Sequence, residues 1–248
     1  MNALYIARKE LRTYFSSPIA YVIMTAFLAF TGLLFIDSLS GPFREASMRQ
    51  FFSGETSSGL FGDSINAAFV LLLLGPVLTM RLLAEESKLG TLELLLTSPV
   101  RDVEVVLGKF LAALVIMMIL LALTIYYPIL LWIWGNPDSG AIFSGYLGMF
   151  LLGGLFLAVG IFASSLSSSQ IASAVVALIL LLLFWFINDA ADFFRGRPET
   201  VLAFVSPRFH FNDFARGVVP SQAIIYYLSL TAIFLFLAIR SLETRRWR

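Results

Sequence analysis

The sequence predicts an all-α, polytopic integral membrane protein with six transmembrane helices, and three observations lead there. Of the 248 residues, 59% are hydrophobic and 13% charged, with a mean hydropathy of +0.88, a balance foreign to soluble globular domains. The apolar residues are gathered into charge-free windows at Ser16–Ile36, Ser64–Met80, Phe110–Pro137, Ser139–Asn188 and Gly217–Ile239, and about 20 such residues cross the hydrocarbon core as a helix. The fourth window, 50 residues long, would make a helix of about 75 Å, more than twice that core. It therefore divides into two spans, and its polar run SSLSSSQ, Ser164 to Gln170, is the natural break.

The elements follow in order within a single domain, 1–248. Residues 1–17, with Glu10 among the helix's named residues, predict an interfacial amphipathic helix with Leu4, Ala7, Leu11, Tyr14 and Phe15 on one face and Arg8, Lys9 and Arg12 on the other. The same pattern argues against a cleaved signal peptide. Pro18 suits the first turn of span one, where a missing N–H costs little. The spans are expected at 18–38, 64–84, 103–133, 142–166, 170–188 and 221–241. Between spans one and two, Gly41 to Asp63 forms a Gly- and Ser-rich loop of a size often used for partner binding. Tyr126, Tyr127 and Pro128 predict a bend within span three, either lining a path or fixing the kink and setting aromatic groups near the outer interface. Span four carries Gly145, Gly148, Gly153, Gly154 and Gly160, suited to close helix contact, within one chain or at a seam between two copies.

Orientation follows from Lys and Arg. The side bearing both termini holds eleven of the 17 basic residues, so both termini are expected in the cytoplasm. The block AEESKLGTLELLLTSPVRDVEVVLGK, Ala84 to Lys109, then lies in the cytoplasm as well. Gly90 interrupts it, and Ser98-Pro99 reads as an N-cap and first helical residue leading toward span three. Its Leu92, Leu94, Leu95 and Leu96 are too apolar for a free loop; they either dock a partner or pack beneath the bundle.

Several chemistries find no residues to carry them. The phosphate-cradling pattern GxxxxGK[ST] is absent: at Gly108-Lys109, Phe110 replaces the hydroxyl and Val103 the first glycine. One histidine, His210, is a poor basis for hydrolysis, and no catalytic residue is assigned. Spans three to six have no ionisable group in their interiors, against proton or sodium coupling through buried carboxylates. With no cysteine there is neither disulfide nor thiolate metal site.

Here the residues resemble a family. LAEESKLGTLELLLTSPVRDVEVVLGK resembles the signature between spans two and three of type-2 ABC transporter permeases, with Glu85, Glu86, Gly90, Thr91, Glu93, Leu95, Pro99, Gly108 and Lys109 matching. ARKELRTYFSSPIAYV resembles the family's interfacial helix, and GIFASSLSSSQIASA its turn between spans four and five. SPRFHFNDFARGVV with YYLSLTAIFLFLAIRSLETRRW is similar to the outer segment and last span of the gliding-motility and nitrous-oxide-reductase-maturation subgroup, although Pro220, Ser221 and Gln222 stand where that subgroup often has an acidic residue.

The resemblance implies a permease of the bacterial cytoplasmic membrane that works with a second permease copy or a homologous permease, docked on a cytoplasmic ABC ATP-binding subunit that carries the ATP and Mg. A membrane subunit with an extracytoplasmic domain is a further partner, and no nucleic acid is expected. The cytoplasmic coupling helix between spans two and three and the interfacial helix would meet the ATPase. Arg81, Glu85 and Glu86 are then polar anchors to the ATPase or the interfacial helix, Gly90 and Pro99 bends, and Glu93 a surface contact. Thr91, Leu95 and Lys109 complete that coupling set. Short external helices are expected between spans five and six, where Phe193, Arg195, Arg208, Phe209, His210, Phe214 and Arg216 form a basic-aromatic rim. That rim either meets a lipid, glycan or partner, or seals the bundle. An ATPase-independent transporter and an intramembrane enzyme are the competing functions.

Overall fold

A computed structural model describes residues 2–39, 48–53, 66–90, 101–135, 137–191, 202 and 204–246. Its elements are α1 (Asn2–Ser16), α2 (Pro18–Leu39), α3 (Arg49–Ser53), α4 (Ala67–Thr79), α5 (Ala84–Lys88), α6 (Asp102–Thr124), α7 (Tyr126–Trp134), α8 (Ser139–Leu166), α9 (Gln170–Ala191), α10 (Pro207–Ala215) and α11 (Ser221–Arg246). The described residues are all-helical, and among them six helical stretches are long and apolar enough to cross a membrane: Pro18–Leu39, Ala67–Lys88, Asp102–Trp134, Ser139–Leu166, Gln170–Ile187 and Ser221–Thr244. It is a multi-pass membrane protein.

Span four, α8, is the axis of the bundle. It packs against α11, α4, α9, α10 and α6, and 83% of its apolar window is buried inside the chain, against 22% for α9. Its glycines make room for side chains of this same chain. A Cβ at Gly145 would meet the Phe52 ring at 2.3 Å, at Gly148 the Phe214 Cβ at 2.7 Å, at Gly153 the Met117 sulfur at 2.2 Å, and at Gly160 the Thr79 hydroxyl at 2.0 Å. Only Gly154 is roomy, its nearest neighbour 3.8 Å away. Close approach of backbones in lipid rests on such small residues, and here they are used within one subunit.

The break in span three falls at Ile125, between α6 and α7. Pro128 has no N–H for the Thr124 carbonyl four residues back. Span four supplies the substitute, since the Tyr146 hydroxyl donates to that carbonyl at 2.9 Å. Tyr127 is buried beneath the bend, its hydroxyl donating to the Leu28 carbonyl at 3.0 Å and lying 3.1 Å from the Thr31 hydroxyl of α2. Tyr126 faces outward. Between spans four and five the helix stops at Leu166, and Ser167 to Ser169 makes the turn, the Ser167 hydroxyl accepting from the Ser169 N–H at 3.0 Å.

Candidate functional site

At the end of the bundle that carries both termini, α1 lies against the start of α6 rather than along α2, to which it is joined. Its inward residues are Ala3, Ile6, Ala7, Glu10, Leu11 and Tyr14, while Arg8, Lys9 and Arg12 face outward. Leu4 and Phe15, expected on the apolar face, are 69% and 38% exposed. The buried stripe is thus turned by about one residue from the one that hydrophobicity selects, and the turn brings Glu10 inside. Gly108 sets the spacing: a Cβ there would lie 2.7 Å from the Ala3 carbonyl oxygen and 2.9 Å from the Ile6 Cβ.

The next residue fills the junction. Lys109 is 1% exposed, and its ammonium lies 2.9 Å from Glu10 Oε1 and 2.8 Å from Glu86 Oε1. One cation from span three therefore holds a carboxylate from α1 and a carboxylate from α5. The Coulomb attraction is large at this burial, but it is set against the cost of taking three charges out of water. The sequence singled out Glu10, Glu86 and Lys109 separately; the fold brings them together.

α5 is tied down from a second direction. Its first-turn N–H groups have no side-chain cap of their own, and helix starts need such acceptors. The Ser164 hydroxyl of span four accepts from Leu83 N at 3.2 Å and Ala84 N at 3.1 Å, and lies 3.3 Å from the Met80 carbonyl as donor. Sequence reasoning saw Ser164 only as part of a polar turn; the missing signal was the uncapped helix start 80 residues away. On the exposed flank, Arg81 Nε donates to Glu85 Oε2 at 3.1 Å, an i,i+4 pair worth a few tenths of a kcal/mol at such exposure. The Tyr14 hydroxyl donates to the Leu78 carbonyl, one of the last carbonyls of α4 that no helical N–H reaches. Burial pushes the Tyr14 phenol well above its ordinary value, with the negative charge of Glu10 adding to the effect.

α5 ends at Gly90, where φ is +70° and the Gly90 N–H bonds the Ser87 carbonyl at 3.4 Å. A left-handed residue just past a helix end favours glycine. Thr91, Glu93, Leu95 and Pro99, and with them the expected coupling helix and the Ser98-Pro99 start, lie outside the described residues. The helix of span three begins at Asp102, where Glu104 Oε2 accepts from Arg101 N at 3.3 Å.

A family model described as ABC-2 family transporter protein matches residues 4–233. The chain belongs to that family. A comparison with curated proteins returns no match. The match makes this ABC-2 permease a transport membrane domain, a class that is not itself catalytic and that typically works with an ATP-binding subunit. It covers α1, α5 and α6, so the Lys109 junction lies within the matched region.

At the opposite end of the permease, the expected rim divides. Phe193 and Arg195 lie outside the described residues. Arg208 pairs with Asp189 of α9 at 3.2 Å and sits 5.8 Å from the Trp185 ring, while Phe209 and Arg216 are exposed. His210 and Phe214 belong to the interior, not to a rim: they are 4% and 0% exposed. His210 stacks on Tyr226 with ring centroids 4.1 Å apart, its Nδ1 3.2 Å from the Ser206 carbonyl, the arrangement of a structural histidine. Phe214 fills the space above Gly148, and the Ser144 hydroxyl donates to the Phe214 carbonyl at 2.7 Å. α10 is thereby fastened onto span four. It ends at Gly217, φ +95°, with Val218 N bonded to the Asp213 carbonyl and Gly217 N to the Phe214 carbonyl, a Schellman closure. In the same half of the bundle, an apolar groove of about 510 Å³ opens between spans three and four, lined by residues such as Met118, Ile125, Trp132, Phe143 and Phe150.

Proposed function

We propose that this ABC-2 chain is the membrane permease subunit of an ATP-driven ABC transporter, exporting a substrate or working on an extracytoplasmic complex. A separate cytoplasmic subunit binds and hydrolyses ATP with its Mg. The observation that carries the reading is the joining of α1, α5 and span three around Lys109 at the termini end, within a chain that matches the ABC-2 family. Around that junction Arg8, Lys9, Arg12, Lys88 and Leu89 face outward, the surface an ATPase would meet in the cytoplasm together with Thr91, Glu93, Leu95 and Pro99. ATP shifts the spans by as much as the two states differ in affinity for it.

In this reading the chain sits in the bacterial cytoplasmic membrane with both termini in the cytoplasm, paired with a second copy or a homologous permease. A partner with an extracytoplasmic domain faces the segment between spans five and six. The similarity of that segment and the last span to the gliding-motility and nitrous-oxide-reductase-maturation subgroup supports a place near it.

Affinity purification of the tagged chain from native membranes tests the proposal. An ATP-binding subunit is expected to co-purify in stoichiometric amount, with ATP hydrolysis that Gly90→Pro reduces. Consistent absence of such a subunit across detergents and nanodiscs overturns the proposal in favour of an ATPase-independent transporter.

A further inference from the structure

We infer that Lys109 is a positioning residue that binds α1, α5 and α6 into one body, so that a displacement of α1 is delivered to span three rather than to span one, where the chain leads it. The functional consequence rests on the ATP-driven reading above; the mechanical claim does not.

Chain connectivity points to span one. α1 is followed by the bend at Ser17 and then by α2, and the Tyr21 hydroxyl bonds the Phe15 carbonyl across that bend. The packing points elsewhere. The inward face of α1 lies on α6 with Gly108 beneath Ala3 and Ile6, so close that a single added carbon has no room. Beside it the Lys109 ammonium is shared between Glu10 and Glu86. Carboxylates from two elements meet on one nitrogen supplied by a third.

A buried ion cluster is a poor device for stability alone, since apolar residues of similar size often serve as well. Its value lies in arrangement: a carboxylate drawn away from the ammonium loses its charge partner before it regains water, so intermediate positions are disfavoured. The cluster therefore permits two states, closed or fully parted, and the closed state moves as a unit. Lysine suits the role because its compact ammonium serves acceptors on either side of a narrow site.

The other end of span three is held. α7 is fixed to α2 by Tyr127 through Leu28 and Thr31, and the helix is broken between, at Ile125. A push on α1 would turn α6 about that break while α7 stays with span one. The Tyr146 hydroxyl, which takes the Thr124 carbonyl at the break, sits at the pivot. Span three is thus the moving element, and its bend the hinge.

The absence of cysteine allows spin labels at chosen pairs of sites. Tyr5, Met118 and Leu33 are exposed positions on α1, α6 and α2. Pulsed dipolar spectroscopy in nanodiscs would follow the 5–118 and 5–33 distances in the full chain. The 5–118 distribution is expected to be narrow, and K109M to broaden it into two populations, with E10Q, a milder change in case K109M fails to insert, producing a smaller second population. The exchanged pair E10K/K109E is expected to restore the narrow distribution, which a merely space-filling role for Lys109 would not predict. In the complex with its ATPase, a non-hydrolysable ATP analogue should shift 5–33 and leave 5–118 unchanged. An unchanged 5–118 distribution in both K109M and E10Q overturns the inference, as does a nucleotide shift in 5–118 with 5–33 constant. A complex in which neither distance responds to nucleotide counts against the ATP-driven reading, while the nucleotide-free variants still judge the junction.

Discussion

Replacing Gly108 by alanine sets two opposed effects against each other, and the structure decides between them. In an exposed helix the change is favourable by about 1 kcal/mol, because glycine loses more backbone freedom on folding. At Gly108 the new carbon would lie 2.7 Å from the Ala3 carbonyl oxygen and 2.9 Å from the Ile6 Cβ, whereas comfortable carbon contacts begin near 3.5 Å. Neither atom is the end of a flexible side chain, so α1 must retreat by roughly 0.6–0.8 Å at a cost of about 1–3 kcal/mol for overpacking. The retreat also stretches the 2.9 Å contact between Glu10 and Lys109. The clash wins, for a net loss of up to ~2 kcal/mol, which multiplies the detached population of α1 as much as ~30-fold. Gly154→Ala is the control: its nearest neighbour is 3.8 Å away, so it should gain up to ~1 kcal/mol. The assay is the rate of maleimide labelling of a cysteine at Ala7, 6% exposed on the inward side of α1, together with thermal unfolding. Gly108→Ala should accelerate labelling and lower the unfolding temperature, and Gly154→Ala should do neither. Equal responses from the two variants would refute the reasoning.

Three further outcomes can be checked in the same preparation. Tyr14→Phe leaves the Leu78 carbonyl unpaired and should loosen α1 by about 1–3 kcal/mol. Because the folded phenol is held above its ordinary value of 10.0, its contribution is complete below pH 10 and declines as pH rises beyond it; alkaline release of α1, read by Ala7→Cys labelling, should shrink in the Phe variant. Tyr146→Phe orphans the Thr124 carbonyl at about 1–3 kcal/mol, less in a Pro128→Ala background, where residue 128 regains an N–H for it; an additive double-mutant cycle would contradict this account of the bend. Gly217→Ala forces φ of +95° on a residue with a Cβ, costing about 1–2 kcal/mol, and should free α10, measured by amide exchange at Pro207–Ala215.

The spans were legible in the sequence because each signal was local: unbroken apolar stretches, the serine run after α8, the proline after Ser17 and the proline in span three. The Lys109 junction was not. Glu10 and Lys109 are 99 positions apart, and ranking α1 by hydrophobicity turns Glu10 toward water, since nothing nearby announces the lysine that lets it come inside. The glycines of span four were visible as a contact surface, but which neighbours filled them depended on Phe52, Met117, Thr79 and Phe214 arriving from four other places. His210 and Phe214 looked like a rim because they alternate with Arg208 and Asp213 in sequence; a single short helix turns His210 and Phe214 inward and leaves Phe209 and Asp213 exposed.

The separation of Glu10 from Lys109 also bears on how the chain is made. α1 leaves the ribosome before span three, and its partner there follows 99 residues later, on the order of 5–20 s at usual synthesis rates. During that interval Glu10 has no ammonium to meet, and α1 can only rest at the membrane surface as the amphipathic helix its sequence describes. Arrival of Lys109 then seats α1 at the start of span three, so that a helix made before span one is fixed only after span two.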